Sequence, residues 1–200
     1  MGSNKSENIY SEDDLIRRIL KGDNEAFSLI YDRYANELLS YGVGLGFDKE
    51  TLKDTIQDIF ARIYDNPNYL KDIRNLKAYF FRSLKNQLIN IRKAQTDVVE
   101  ISKRELEFSV SVTVLDELIE DEDRLYLKTE VEKYLNCLTS RQREAIYLRF
   151  IQELSYDEIA TLLNLSPHAA RKLTSRAILR IRKENIPVIM LFASLYSSQL

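Results

Sequence analysis

One cysteine and one histidine in 200 residues remove several chemistries at once. Cys137 alone cannot form an intramolecular disulfide or a Cys-rich zinc site. His168 alone cannot build a His-cluster metal centre, and most His-based catalytic arrangements are excluded. Five glycines and three prolines are too few for a turn-rich β protein and suit long helices. There is no tryptophan. The longest apolar run, 186–196, is about half the ~20 residues of a membrane helix. The start, 1–10, is polar and lacks a signal-peptide core. Met1 to Ser6 fits a loose myristoylation pattern, but a polar tail explains it better. A cytoplasmic protein, not inserted in a membrane and without cofactor or metal, is expected. No Gly-rich phosphate loop or nucleophile motif is present, so an enzyme is not expected.

What is present is 44% hydrophobic and 30% charged residues, enough apolar side chain for a core. The net charge of −2 conceals strong segregation. Residues 1–70 hold 8 basic and 13 acidic side chains, net −5; residues 71–93 hold 7 and 1, net +6. Residues 94–136 hold 5 and 12, net −7; residues 137–183 hold 9 and 4, net +5. Two basic blocks separated by an acidic one suggest a polyanion bound at two places.

Apolar residues recur at steps of three and four through most of the chain, which predicts an all-α fold. Leu15, Ile16, Ile19 and Leu20 form a short helix ended by Gly22. Asp23 caps a longer one carrying Phe27, Ile30, Tyr31, Tyr34, Leu38, Tyr41 and Leu45. Asp48 caps a third, with Leu52, Ile56, Ile59, Phe60 and Ile63, which Asn66-Pro67-Asn68 stops. Leu76, Tyr79, Phe80, Leu84, Leu88 and Ile91 mark a fourth. From 94 to about 124 periodicity fades and acidic residues dominate, as in a flexible linker. Val110, Val112 and Val114 there alternate with Ser and Thr and allow a brief extended segment. Helical spacing returns from Leu125.

The C-terminal punctuation is clear. Thr139 to Gln142 and Ser155 to Glu158 each fit a capping box. Asn164 suits a left-handed helix end, Ser166 a cap, and Pro167 a first helical position. Two helices joined by this tight turn form a helix-turn-helix pattern, with an ordinary helical hairpin as the alternative. Residues 168–183 contain six basic side chains and no acid, which favours DNA. Ala170, Leu173, Ala177 and Ile181 would pack inward. His168, Arg171, Lys172, Ser175 and Arg176, with Arg149 before them, are the candidate duplex contacts. Whether Arg171 and Lys172 read guanine edges or hold phosphates stays open.

The first basic block interleaves Lys71, Arg74, Lys77, Arg82, Lys85, Arg92 and Lys93 with Tyr69, Tyr79, Phe80 and Phe81. Cations with aromatics suit single-stranded or opening DNA. Tyr79 and Phe80 are as readily core residues; Phe81, off the main stripe, is the better candidate for exposure. The loop from Asn66 to Asn75 is a candidate pocket for a flipped base. Asp54, Gln57, Asp58 and Arg62 share one side of their helix, either as a solvated face or as a docking surface.

These residues resemble the extracytoplasmic-function (ECF) sigma factors of bacterial RNA polymerase. The likeness rests on Gly22 to Phe27 with Tyr31 and Tyr34, on Asp54 to Phe60, and on Asn75 to Asn86. It continues in Leu138 to Glu144 and Leu154 to Ala160. The resemblance implies two small helical domains joined by a flexible acidic linker. One, 11–93, would bind polymerase and the minus-ten element; the other, 125–183, would bind the minus-thirty-five element. A tail at 1–10, a linker at 94–124 and an apolar extension at 184–200 complete the division. The extension would pack on the C-terminal domain or receive a regulator. Asp54, Gln57, Asp58 and Phe60 would bind polymerase. Asn75, Lys77, Tyr79, Phe81, Arg82, Lys85, Asn86, Arg92 and Lys93 would meet minus-ten DNA. Core RNA polymerase, promoter DNA and an anti-sigma factor are the implied partners. A stand-alone helix-turn-helix regulator and an RNA-binding protein are the competing readings.

Overall fold

The computed structural model describes residues 10–95, 106–109 and 135–183. Among these there are helices, turns and irregular segments and no strand. The chain divides into two compact units, Met1–Gly42 with Asp48–Asp97, and Val43–Phe47 with Val98–Leu200.

Four helices build the first unit: α1 (Glu12–Ile19), α2 (Asn24–Gly44), α3 (Lys49–Asp65) and α4 (Leu76–Gln95). Local chemistry sets their ends. The Ser11 side chain accepts the Asp14 N–H at the start of α1. Gly22 stands at φ 84°, where a side chain is disfavoured, and turns the chain toward α2. Asp23 accepts the N–H groups of Glu25 and Ala26, and its other oxygen takes the Arg18 Nε–H at 2.7 Å. The Arg18 guanidinium holds the Asp23 carboxyl below the usual carboxylate range. Asp48 caps α3 through Thr51, and Asn75 caps α4 through the Ala78 N–H.

An aromatic cluster joins α2, α3 and α4. Phe60 lies 4.8 Å from Tyr31, 6.1 Å from Phe27 and 4.7 Å from Phe80, with the last pair stacked. Tyr34 meets Phe80 at 5.2 Å, and Tyr41 meets Phe81 at 5.0 Å. Each large side chain removed from water in this way contributes about 1.5–3 kcal/mol. Gly42 lies against Leu52; a Cβ added there would sit 2.2 Å from Leu52 Cδ2. A glycine that looks like a weak last turn in the sequence therefore serves close packing of α2 on α3.

The second unit contains α5 (Ser140–Ile146), a π-helical turn (Tyr147–Ile151), α6 (Tyr156–Leu162) and α7 (Pro167–Lys183). Leu135, Leu138, Ile146, Ala177 and Ile181 form one buried cluster, flanked by Cys137, Phe150 and Ile178. Both capping boxes are present, Thr139 with Gln142 and Ser155 with Glu158. Replacing Ser155 by alanine is expected to cost about 1 kcal/mol of stability, read by urea denaturation, because one N-terminal N–H of α6 loses its partner. An unchanged midpoint would show that water replaces the cap.

The π turn widens the helical run that the Thr139–Gln142 capping box opens. The Gln152 N–H donates to Tyr147 five residues back, and the buried Gln152 amide donates to the Tyr147 hydroxyl at 2.9 Å. Glu153 follows in the left-handed region at φ 57°. The widened turn carries Arg149, whose Nη1 donates to the Leu154 carbonyl at 2.9 Å.

Of the linker expected at 94–124, Ala94 and Gln95 belong to α4, and among the described residues 106–109 Phe108 is packed. Phe108 is buried 5.2 Å from the Tyr147 ring, and its N–H donates to Ser140 Oγ at 2.5 Å. A phenyl ring held this way anchors the segment on the second unit, which acidity and faded periodicity do not reveal. The valine alternation at 110–114, the helical spacing expected from Leu125 up to residue 134 and the tail 184–200 lie outside the described residues.

Candidate nucleic-acid and polymerase interfaces

Helix α3 separates its faces cleanly. Leu52, Thr55, Ile56, Ile59, Phe60 and Ile63 are buried. Asp54, Gln57 and Asp58 are exposed side by side, with Arg62 one turn further on. Their position is set by the buried stripe behind them rather than by bonds between them. Phe60 departs from the expected set: it is 3% exposed, at the centre of the aromatic cluster. It holds α3 in place from inside and offers no surface.

Helix α4 presents Arg82, Asn86, Asn90 and Lys93 to solvent, at steps of four and three, with Arg92 beside them. The expectation that Phe81 is exposed is corrected: it is 0% exposed and packs on Tyr41. Phe81 lies one position after Phe80, and α4 meets its neighbours across a face wide enough to bury both. Tyr79 is half-buried against Phe80 at 5.7 Å. Lys85 is half-buried. Asn75 spends its side-chain oxygen on the cap of α4. Lys77 faces Glu37 of α2 at 3.1 Å. Burial pushes the Glu37 carboxyl above its usual range, and Lys77 pulls the other way. Lys77 thus pairs with a half-buried acid as well as adding charge to the helix start.

The aromatic residues that do reach solvent are elsewhere in the unit. Tyr10 ahead of α1, Tyr64 at the end of α3 and Tyr69 in the 3-10 turn Pro67–Leu70 are 42%, 55% and 57% exposed. Tyr64 packs edge-on against Phe27 at 5.2 Å. Tyr64 precedes the loop expected to receive a base, and Tyr69 lies within it. A cleft of about 390 Å³ lies beside it, lined by Ile19, Gly22, Asp23, Asn24, Phe27, Tyr64 and Pro67. The loop itself contributes only Pro67 to that cleft.

In the second unit the turn between α6 and α7 is bonded throughout. Asn164 is left-handed at φ 50°, and the Leu165 N–H reaches back to the Ala160 carbonyl at 2.8 Å, closing the end of α6. Arg141 Nη2 donates to the Leu163 carbonyl at 2.7 Å. Ser166 accepts the Ala169 N–H at the start of α7. Ala170, Thr174, Ala177 and Ile181 form the buried stripe of α7. Thr174, absent from the expected apolar set, satisfies its hydroxyl on the Ala170 carbonyl at 3.0 Å. Leu173, expected inside, is half-buried. His168, Arg171, Lys172, Ser175 and Arg176 are all exposed, on the face away from the core. Arg180, Arg182 and Lys183 continue the charge at the C-terminal end, where the helix dipole favours cations.

One contributor escaped the sequence reading. Tyr156, the first residue of α6, lies 5.0 Å from the guanidinium of Arg149 and 5.0 Å from that of Arg171. The motif Leu154 to Ala160 showed only its capping box. Arg149 and Arg171 are far apart in sequence, so no spacing rule pairs either with this ring.

Among the described residues, no helix is long and apolar enough to cross a membrane. The family model described as "Sigma-70, region 4" matches residues 128–181, which include the helix-turn-helix. The chain is 26% identical over 186 residues to the RNA polymerase sigma-H factor of Pseudomonas aeruginosa, covering 88% of this chain and 94% of that protein. It is 26% identical over 175 residues to the ECF RNA polymerase sigma factor SigW of Bacillus subtilis, covering 84% and 94%. A solved structure of the sigma factor RpoE in complex with the anti-sigma factor NepR, from Bartonella quintana, has a similar fold. Its TM-score is 0.51 at 19% identity, over 80% of this chain and 96% of that one.

Proposed function

We infer the function from the family: the chain belongs to the extracytoplasmic-function sigma factors, and it binds core RNA polymerase, directs it to specific promoters and helps open the DNA for transcription initiation. The observation that carries this is coverage. Relatives named as sigma factors align over both units, 88% of the chain in one case, and not over the helix-turn-helix alone. A stand-alone regulator would need only the second unit.

Each exposed face then takes a task that suits its charge. Asp54, Gln57 and Asp58 on α3 dock on polymerase. Arg82, Asn86, Arg92 and Lys93 on α4, with Lys77 and Lys85 behind them, track the opened minus-ten strand. Exposed Tyr69 supplies a stacking surface beside that helix, the role expected of Phe81. His168, Arg171, Lys172, Ser175 and Arg176 face the minus-thirty-five duplex, with Arg149 alongside. Between the end of α4 at Gln95 and the anchored Phe108 there are about 12 residues, which fully extended span at most ~43 Å, little more than one ~34 Å turn of DNA. An anti-sigma factor that masks these faces is the expected regulatory partner, and the cytoplasm the expected location. The protein contributes binding energy and strand capture and is not itself an enzyme.

In vitro transcription with core polymerase over genomic fragments tests the reading and names the promoters. Transcripts that require the protein are expected. Asp54→Ala with Gln57→Ala should lower polymerase binding about tenfold or more while changing stability by about 0.5 kcal/mol or less, since both residues are exposed. Full duplex protection without polymerase, and no transcripts with it, would instead indicate a stand-alone regulator.

A further inference from the structure

We propose that Tyr156 is a positioning residue for the minus-thirty-five contact: its ring holds Arg149 and Arg171, from separate elements, as one arginine pair poised for DNA. The proposal rests on the promoter-binding reading above and deepens it. Three observations converge on it. Both guanidinium carbons lie 5.0 Å from the centre of the same ring, within the range of a cation–π contact. The ring sits at the first position of α6, directly after Ser155, where the reciprocal Ser155–Glu158 bonds fix the backbone. Arg149 is further fixed by its bond to the Leu154 carbonyl, on a π turn, a geometry that recurs at functional sites.

The physical need for such a device is plain. Two guanidinium groups near each other repel, and each long side chain loses rotamer freedom when it meets a phosphate or a base. An aromatic face offsets part of the repulsion and restricts both side chains before DNA arrives. Arg171 is exposed on the outer face of α7, so the ring steers it without burying it. The half-buried ring itself contributes little to the core, which makes its substitution informative.

The full-length chain, alone and with core polymerase, provides the test. Arginine side-chain resonances of the free protein report the ring directly, because protons above an aromatic face are shifted upfield. Tyr156→Leu should return the Arg149 and Arg171 resonances toward ordinary positions, while Tyr156→Phe, which keeps the ring, should leave them shifted. With polymerase holoenzyme and a pool of short duplexes of randomised sequence, Tyr156→Leu should weaken retention by roughly threefold to tenfold, and Tyr156→Phe should restore it. Resonances unmoved in Tyr156→Leu overturn the proposal. So do resonances that move while retention stays at the wild-type level, or a Phe variant as defective as the Leu variant. Wild-type holoenzyme that selects no sequence from the pool overturns the promoter reading and the DNA half of the proposal together. The resonances of the free protein still decide whether the ring holds the pair.

Discussion

Phe80→Ala should destabilise the first unit by about 3–5 kcal/mol, the range for deleting a fully buried phenylalanine. The side chain is completely enclosed, stacked on Phe60 at 4.7 Å and packed on Tyr34 at 5.2 Å and Tyr79 at 5.7 Å. Those partners come from α2, α3 and α4, so the hole left behind touches three helices and cannot be filled by one of them moving. Chemical denaturation followed by far-UV circular dichroism reads the effect. A loss below about 1 kcal/mol would mean that the cluster collapses around the missing ring, against the usual incomplete relaxation of close-packed interiors. The same substitution should blunt open-strand capture, because α4 owes its placement to Phe80, Phe81, Leu84 and Leu88.

The second large effect concerns DNA. Arg171→Ala with Lys172→Ala should lower holoenzyme binding to a promoter duplex by one to several orders of magnitude, at about 1–3 kcal/mol for a lost base contact. Both side chains are exposed and the buried stripe of α7 is untouched, so stability should fall by no more than about 1 kcal/mol, the size of the Arg171–Tyr156 contact, and polymerase binding should be unchanged. Repeating the titration over a range of salt separates two roles. Lost phosphate contacts flatten the salt dependence and weaken all sequences alike, whereas lost base contacts relax selectivity at particular positions. Equal loss of polymerase binding would count against a division of labour between the two units.

The contrast between these two experiments shows what was legible in the sequence. Helix ends were readable because they depend on local chemistry. Asp23, Asp48, Thr139, Ser155 and Ser166 each bond an N–H within three residues, and Asn164 adopts the left-handed conformation its side chain tolerates. The exposed charges of α7 were readable because the buried stripe at 170, 174, 177 and 181 leaves them one side only. Phe81 was misread because a single-stripe picture of α4 admits one apolar face, whereas α4 buries adjacent residues at 80 and 81. Phe60 was assigned to a surface by its company in the Asp54 to Phe60 motif, although its own period places it inside. The Tyr156 contacts and the Glu37–Lys77 pair join residues from different elements, which periodicity does not register.

The bonded turn between α6 and α7 has an evolutionary consequence. Every device that holds the second helix in place lies on its buried side or at its ends: Asn164, Ser166, Ala170, Thr174, Ala177 and Ile181. Of the outward positions 168, 171, 172, 175 and 176, Arg171 alone reaches α6, through the Tyr156 ring; the other four carry none of that burden. Such a scaffold tolerates a new alphabet at 168, 171, 172, 175 and 176 with little loss of foldedness. Gene duplication could therefore give rise to daughters that address different sets of genes while inheriting one unaltered architecture.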